Sequence, residues 1–328
     1  MSTKHIPSLS IQTMITPDPN LYLRSASFAS GALGACCAVT FSNPFEVIKT
    51  RLQLQGELVK RNQLFSKPYQ NLPQALRLVY QHEGIKGLQR GLKAAYGYQL
   101  IMNGTRFGCY DVFKDSMVRH LGVTSPSGVF AASIGAGAVS GMIAAFLGSP
   151  FFMAKTRLQA YSPHLPIGTQ HNYSGVLSAL RAIYQENGLS GWLRRSMPAV
   201  VRTGVGTSVQ LTSYDYVKKG ILAKGYLEDG LYLHTLASLC SGILVCTAMN
   251  PFDVVTTRMF NQPIDPKTGK GKLYRNMIHC FSSILKTEGF RGIFKGYTAL
   301  YFRMGPHTVL TFIFMEQFKN FFLPSSFH

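Results

Sequence analysis

Charged side chains are scarce in this chain of 328 residues: they make up 14% of it, and Asp and Glu together number only 14. Residues 31–41 and 128–147 are nearly free of charge and 46% of the chain is hydrophobic, which points to membrane rather than to an ordinary soluble domain. Mean hydropathy is only +0.08, too low for helices that face lipid all round, so polar faces turned toward a wet interior are expected. The six cysteines, Cys36, Cys37, Cys109, Cys240, Cys246 and Cys280, form no CxxC and no disulfide-like spacing, and most sit in apolar runs as small packing residues. No Walker-type phosphate loop, calcium-binding loop or nucleic-acid module is present, so no enzyme, no nucleic-acid partner, no cofactor and no metal site are expected. Residues 1–23 have a single lysine, Lys4, no apolar core of signal-peptide type and no Arg-rich amphipathic pattern, so any targeting information is expected to be internal.

What the chain does have is repetition. SNPFEVIKTRLQ (42–53) returns as GSPFFMAKTRLQ (148–159) and as MNPFDVVTTRMF (249–260), with Pro44, Pro150 and Pro251 spaced 106 and 101 residues apart. Three units follow, 24–122, 123–225 and 226–322, flanked by tails 1–23 and 323–328. Each unit opens with an apolar helix, near 24–55, 128–160 and 232–262, that its proline is expected to kink. Each then holds a block of identical length, 69–84, 173–188 and 274–289, with apolar residues at helical spacing (Leu76, Val79, Tyr80; Leu177, Leu180, Ile183), read as a short amphipathic helix on the membrane surface. The blocks close on Glu-Gly or Glu-Asn-Gly, and a second long helix begins, near 90–121, 194–222 and 297–322. The exposed N-termini of these even helices are candidate sites for lipid phosphate. The even helices end in YDVFK, YDYVK and MEQFK, whose acid and base are either an intrahelical pair or members of an interhelical ring. The net charge of +19, spread through apolar helices, fits affinity for anionic lipid and anionic solutes.

The three proline motifs, the Glu-Gly blocks and the Tyr-Asp-x-x-Lys ends resemble the mitochondrial carrier family over residues 24–322. The resemblance implies an all-α, multi-pass protein of the mitochondrial inner membrane. It would have six transmembrane helices in a threefold pseudosymmetric barrel, three short matrix-side amphipathic helices, a central substrate site, and bound membrane lipid such as cardiolipin. A monomer is expected. It also implies two salt-bridge networks that open alternately, each acid pairing with the base of the next copy. At the matrix end these pairs are Glu46 with Lys155 and Asp253 with Lys49, while Phe152 faces Thr256, so the two missing charges fall on one pair. Gln53 and Gln159 stand where the family places a bracing glutamine, and Phe260 replaces the third. At the cytoplasmic end the pairs are Asp111 with Lys218, Asp215 with Lys319 and Glu316 with Lys114.

Thirteen residues before Asp111, Asp215 and Glu316 stand Tyr98, Arg202 and Arg303, three equivalent positions near mid-membrane. An arginine there is expensive and marks a functional site by default. No carboxylate lies within two turns on the same helix, so two unpaired guanidiniums are expected, suited to an anion with two acceptor groups. Arg106, two turns beyond Tyr98, adds charge on the cytoplasmic side or supports a gate. Gln99, Asn103, Thr203 and His307 offer neutral hydrogen bonds, and His307 is either a proton-coupling group or a packing residue. The strings LQLQGE (52–57), GLKAAYGYQ (91–99), RTGVGTSVQL (202–211) and RMGPHTVLTFIFMEQ (303–317) resemble the dicarboxylate and keto-acid branch of the family, its oxaloacetate-carrying members above all. That implies transport of oxaloacetate, sulfate, malonate, thiosulfate and isopropylmalate, by proton symport or exchange. The alternatives are malate, 2-oxoglutarate or phosphate exchange, and an uncoupling-type conductor of protons or anions. The arginine-rich signature of ADP/ATP carriers is absent; TTRMFNQ (256–262) stands in its place.

Overall fold

The computed structural model describes residues 19–59, 67–120, 122, 125–223, 231–265 and 271–322, so nearly all of the two expected tails lies outside the described residues. The chain runs through α1 (Pro19–Leu54), α2 (Leu72–Leu88), α3 (Leu92–His120), α4 (Pro126–Ala160), α5 (Val176–Ala223), α6 (Leu231–Asn261), α7 (Met277–Thr287), α8 (Phe290–Ile293) and α9 (Tyr297–Phe322). Helices α1, α4 and α6 carry the motif prolines and continue through them. Their segments Ala29–Leu54, Ser127–Ala160 and Leu236–Asn261 are long and apolar enough to cross a membrane. Helix α5 joins a surface helix and an even helix in one run that bends at Gly188.

The long helices close into a ring, each packed on the next in the order α1, α3, α4, α5, α6 and α9, with α9 returning to α1. Large apolar side chains on the outside of this wall, among them Phe41, Leu147, Ile243 and Phe312, are exposed and suited to acyl chains. Inside, three apolar clusters repeat one arrangement: the last turns of an odd helix pack on the surface helix of the same repeat. Ile48 and Leu54 meet Tyr69 and Val79, Met153 and Ala154 meet Ala179 and Ile183, and Val254 and Val255 meet Tyr274 and Ile284. Tyr80 and Leu177, two of the residues expected on the apolar faces, are instead exposed. Asn71 and Asn276 cap α2 and α7 by accepting from Gln74 N and His279 N at 3.0 and 2.8 Å.

The Glu-Gly signature has a backbone reason. Gly84, Gly188 and Gly289 have φ of 63°, 57° and 73°, the left-handed region that a side chain disfavours, and there the chain turns from the surface into the barrel wall. The glutamates beside these glycines take part in a threefold stitch. Arg51 donates to both oxygens of Glu83 (2.6 and 3.0 Å), and Arg258 grips Glu288 in the same way. Arg157 reaches only one oxygen of Glu186, at 2.8 Å, and its second terminal nitrogen has no partner. In the second repeat Asn187 holds the position of Glu83 and Glu288, and the acid, Glu186, stands one residue earlier, two from the glycine rather than one. Glu186 is accordingly 33% exposed, against 3% and 4% for Glu83 and Glu288. Each arginine Nε also donates to a backbone carbonyl in the next repeat: Arg51 to Gln159, Arg157 to Phe260 and Arg258 to Gln53, at 3.0–3.2 Å. The proline end of the barrel is thereby closed on itself.

Candidate functional site

Just above that stitch lies a buried polar layer. Lys155 Nζ donates to Glu46 Oε1 at 2.7 Å, joining α4 to α1, and Lys49 Nζ donates to Asp253 Oδ2 at 2.7 Å, joining α1 to α6. All four side chains are at most 4% exposed. Gln53 Nε2 donates to the same Asp253 oxygen at 2.8 Å and its own carbonyl accepts from Thr257 at 2.7 Å. Gln159 differs from its expected place: it accepts from Thr50 and donates to Asn43, and does not touch the Glu46–Lys155 pair. Thr256 donates to the Phe252 carbonyl one turn back, so the hydroxyl at the lost base position asks nothing of its neighbours.

The two mid-membrane arginines correct the expectation of unpaired guanidiniums. Arg202 Nε lies 2.5 Å from Asp253 Oδ1, and Arg303 lies 3.5 Å from Glu46 Oε1. The carboxylates come from α6 and α1, so inspecting the arginines' own helices could not find them. Each acid therefore serves one lysine and one arginine. Four cations against two carboxylates leave the layer with two positive charges in excess. The match is also incomplete at the level of atoms: Glu46 Oε2 and Arg303 Nε are buried without a partner.

The remaining predicted contacts separate into groups. Tyr98 packs its ring against Phe152, with centroids 5.2 Å apart. His307 bridges helices, with Nδ1 3.2 Å from Ser42 Oγ on α1 and Nε2 3.1 Å from Gln99 Nε2 on α3. Asn103 and Arg106 are half-buried farther along α3, toward the other end. Thr203 does not offer its hydroxyl to the interior, because it is buried and donates to the Ala199 carbonyl at 2.8 Å. The stitch of Arg51, Arg157 and Arg258 was not singled out from sequence, although an arginine two residues after the base position in all three repeats is its signal.

At the far end the expected bridges Asp111–Lys218, Asp215–Lys319 and Glu316–Lys114 are not formed among the described residues. Asp215 pairs instead with Lys219 on its own helix at 2.7 Å, and Asp111, Glu316 and Lys319 are exposed. That end is open to water, where an ion pair gains little and an i,i+4 partner on the same helix costs no closure of the barrel. Beside the proline end, a recess of about 830 Å³ is lined by Gln55, Lys67, Asn71, Glu288, Arg291 and Lys295, where repeat 1 meets repeat 3, with Lys295 paired to Glu288.

Six long helices among the described residues, ringed around a buried, unevenly charged layer that is sealed at one end and exposed at the other, are the build of a multi-pass membrane transporter. The family model described as Mitochondrial carrier protein matches this chain three times, over residues 24–121, 127–225 and 228–326, and the chain belongs to that family of inner-membrane carriers, which are not enzymes. It is 42% identical over 299 residues to the mitochondrial oxaloacetate transport protein of Schizosaccharomyces pombe, covering 91% of each chain. It is 41% identical to the mitochondrial citrate transporter E of Aspergillus niger, over 89% of this chain and 92% of that one. With the mitochondrial 2-oxoglutarate/malate carrier protein of Bos taurus the identity is 35%, over 93% of this chain and 95% of the other.

Proposed function

We propose that this carrier moves small dianions, oxaloacetate and sulfate first and malonate, thiosulfate and isopropylmalate with them, across the inner mitochondrial membrane by alternating access. The charge count carries this reading: Lys49, Lys155, Arg202 and Arg303 exceed Glu46 and Asp253 by two charges in one buried layer. Uncompensated charge away from water is costly, and a ligand bearing two negative charges removes the excess. Guanidinium groups fork onto carboxylate and sulfate alike. The names of the three relatives point to di- and tricarboxylates. Citrate is the second reading, favoured by one observation: the 41% identity with a citrate transporter over 92% of that chain.

The shared acids suggest how binding drives the transition. We assign Glu46, Lys49, Lys155 and Asp253, with Gln53 and Gln159 beside them, to the closed matrix gate, and Asp111, Lys114, Asp215, Lys218, Glu316 and Lys319 to the open cytoplasmic one. A dianion arriving from the open side competes with Asp253 for Arg202 and with Glu46 for Arg303. Each carboxylate then holds only its lysine, and the network that closes the matrix end weakens. The ligand shifts the equilibrium only by the difference between its affinities for the two states, which this competition supplies. We also assign the recess by Lys67, Arg291 and Lys295 to the head group of an anionic lipid such as cardiolipin.

In liposomes reconstituted with the purified carrier, uptake of labelled sulfate is expected to be inhibited by oxaloacetate and malonate and hardly at all by phosphate. Stronger inhibition by citrate than by any dianion would establish the tricarboxylate reading. A proton leak blocked by purine nucleotides, without sulfate uptake, would establish an uncoupling carrier instead. Proton coupling is assigned to His307, which sits between Ser42 and Gln99 at the side of the anion layer. His307→Gln is expected to keep sulfate exchange while abolishing the stimulation of net uptake by a pH gradient. Full stimulation in that variant removes His307 from the mechanism.

A further inference from the structure

The position where the repeat pattern loses its carboxylate holds Phe152, and its ring is surrounded by charge. The Arg202 guanidinium lies 5.3 Å and the Lys155 ammonium 5.1 Å from the ring centroid. Lys155 also lies 5.2 Å from the Tyr98 centroid, so this ammonium sits between two aromatic rings and one carboxylate. Phe152 is 4% exposed. Its orientation is set from two sides: Tyr98 leans on it at 34° with centroids 5.2 Å apart, and Phe260 meets it edge-on at 84° and 5.3 Å. Phe260 stands where the first two repeats have Gln53 and Gln159, so the third junction of the ring, between α4 and α6, is aromatic where the others are polar.

The face of an aromatic ring is electron-rich and attracts cations, more strongly once water is excluded. Unlike a carboxylate, it holds a cation without cancelling its charge. We infer that Phe152 is a positioning residue of the anion site: its ring carries the Arg202 guanidinium and the Lys155 ammonium in place of a third acid, and so keeps two positive charges available to the substrate. An aspartate here would reduce the excess to one and set a permanent competitor beside Arg202. A leucine would keep the excess but take away the only ring under Arg202 among the described residues and leave Lys155 with Tyr98 alone. The inference deepens the dianion reading and rests on it.

The test replaces Phe152 by mono-, di- and trifluorophenylalanine, which drain electron density from the ring while nearly keeping its shape, and by Tyr, Leu and Asp. Sulfate uptake and thermal stability are measured together in each case. The KM for sulfate is expected to rise stepwise with each fluorine, reaching about tenfold for the trifluoro ring, with maximal rate and melting temperature little changed. Phe152→Tyr should retain the wild-type KM within about twofold, because its ring face is also a good cation partner. Phe152→Leu and, where it folds, Phe152→Asp should raise KM by about tenfold or more. A KM that is flat across the fluorinated series, whatever Leu does, overturns the inference and makes Phe152 a packing residue. Absence of sulfate or oxaloacetate transport by the unmodified carrier in the same liposomes would count against the dianion reading itself, so the two failures are distinguishable.

Discussion

Replacing Arg303 or Arg202 by alanine is expected to lower uptake of labelled sulfate or oxaloacetate by about 100-fold or more, since truncating one partner of a buried, hydrogen-bonded charge pair costs roughly 2–5 kcal/mol. The fold should survive either change. Without Arg202, Asp253 still holds Lys49 at 2.7 Å and Gln53 at 2.8 Å; without Arg303, Glu46 still holds Lys155 at 2.7 Å. Neither variant strands an unpaired acid, so the melting temperature should move much less than transport does. Each leaves one excess positive charge where there were two, so the selectivity for dianions over monoanions should fall along with the rate. Lysine at either position restores the charge but not the fork, and should recover only part of the activity. If both alanine variants take up sulfate at the normal rate, the two arginines are not the substrate site and the dianion reading fails with them.

The same geometry shows where sequence could and could not lead. The family resemblance, laid on the repeat register, sets Glu46 opposite Lys155 and Lys49 opposite Asp253, and both contacts are present. It also brings the absence of an acid at Phe152 and of a base at Thr256 together on one junction. It could not show that Arg202 and Arg303 share those acids, since the contact depends on how far α5 and α9 are rotated against α6 and α1. It could not show that Gln159 turns to Thr50 and Asn43 while Gln53 turns to Asp253. Nor could it show which end is closed: Asp111, Asp215 and Glu316 belong to one pattern in sequence, and whether they pair depends on the state of the barrel rather than on residue type.

Replacing Arg258 by alanine is expected to be strongly destabilising, by about 3 kcal/mol, because it leaves the buried Glu288 with Lys295 as its one cation and frees the Gln53 carbonyl. Arg258 is fully buried and makes two bonds to Glu288 and two to the Gln53 carbonyl. One side chain thus joins α6 to the end of α7 in its own repeat and to α1 of the first. In detergent, the melting temperature should fall by about 10 °C. Lysine offers a point charge without the fork and should recover less than half of the loss. Glu288→Gln should cost nearly as much, and the triple change Arg258→Met, Glu288→Leu and Lys295→Met should recover most of the loss, since removing all three charges strands none. The contact also predicts a pH dependence. Burial alone would raise the Glu288 carboxyl, but Arg258 and Lys295 hold it below the usual carboxylate value. A carboxyl depressed on folding contributes stability that is complete above its unfolded pKa of about 4.3 and is lost as the pH falls through the lower folded value. The wild type should therefore lose melting temperature on acidification below about pH 4, and Glu288→Gln should lose less over the same range. An Arg258→Ala carrier that melts with the wild type would mean that the stitch at the proline end does not hold the three repeats together.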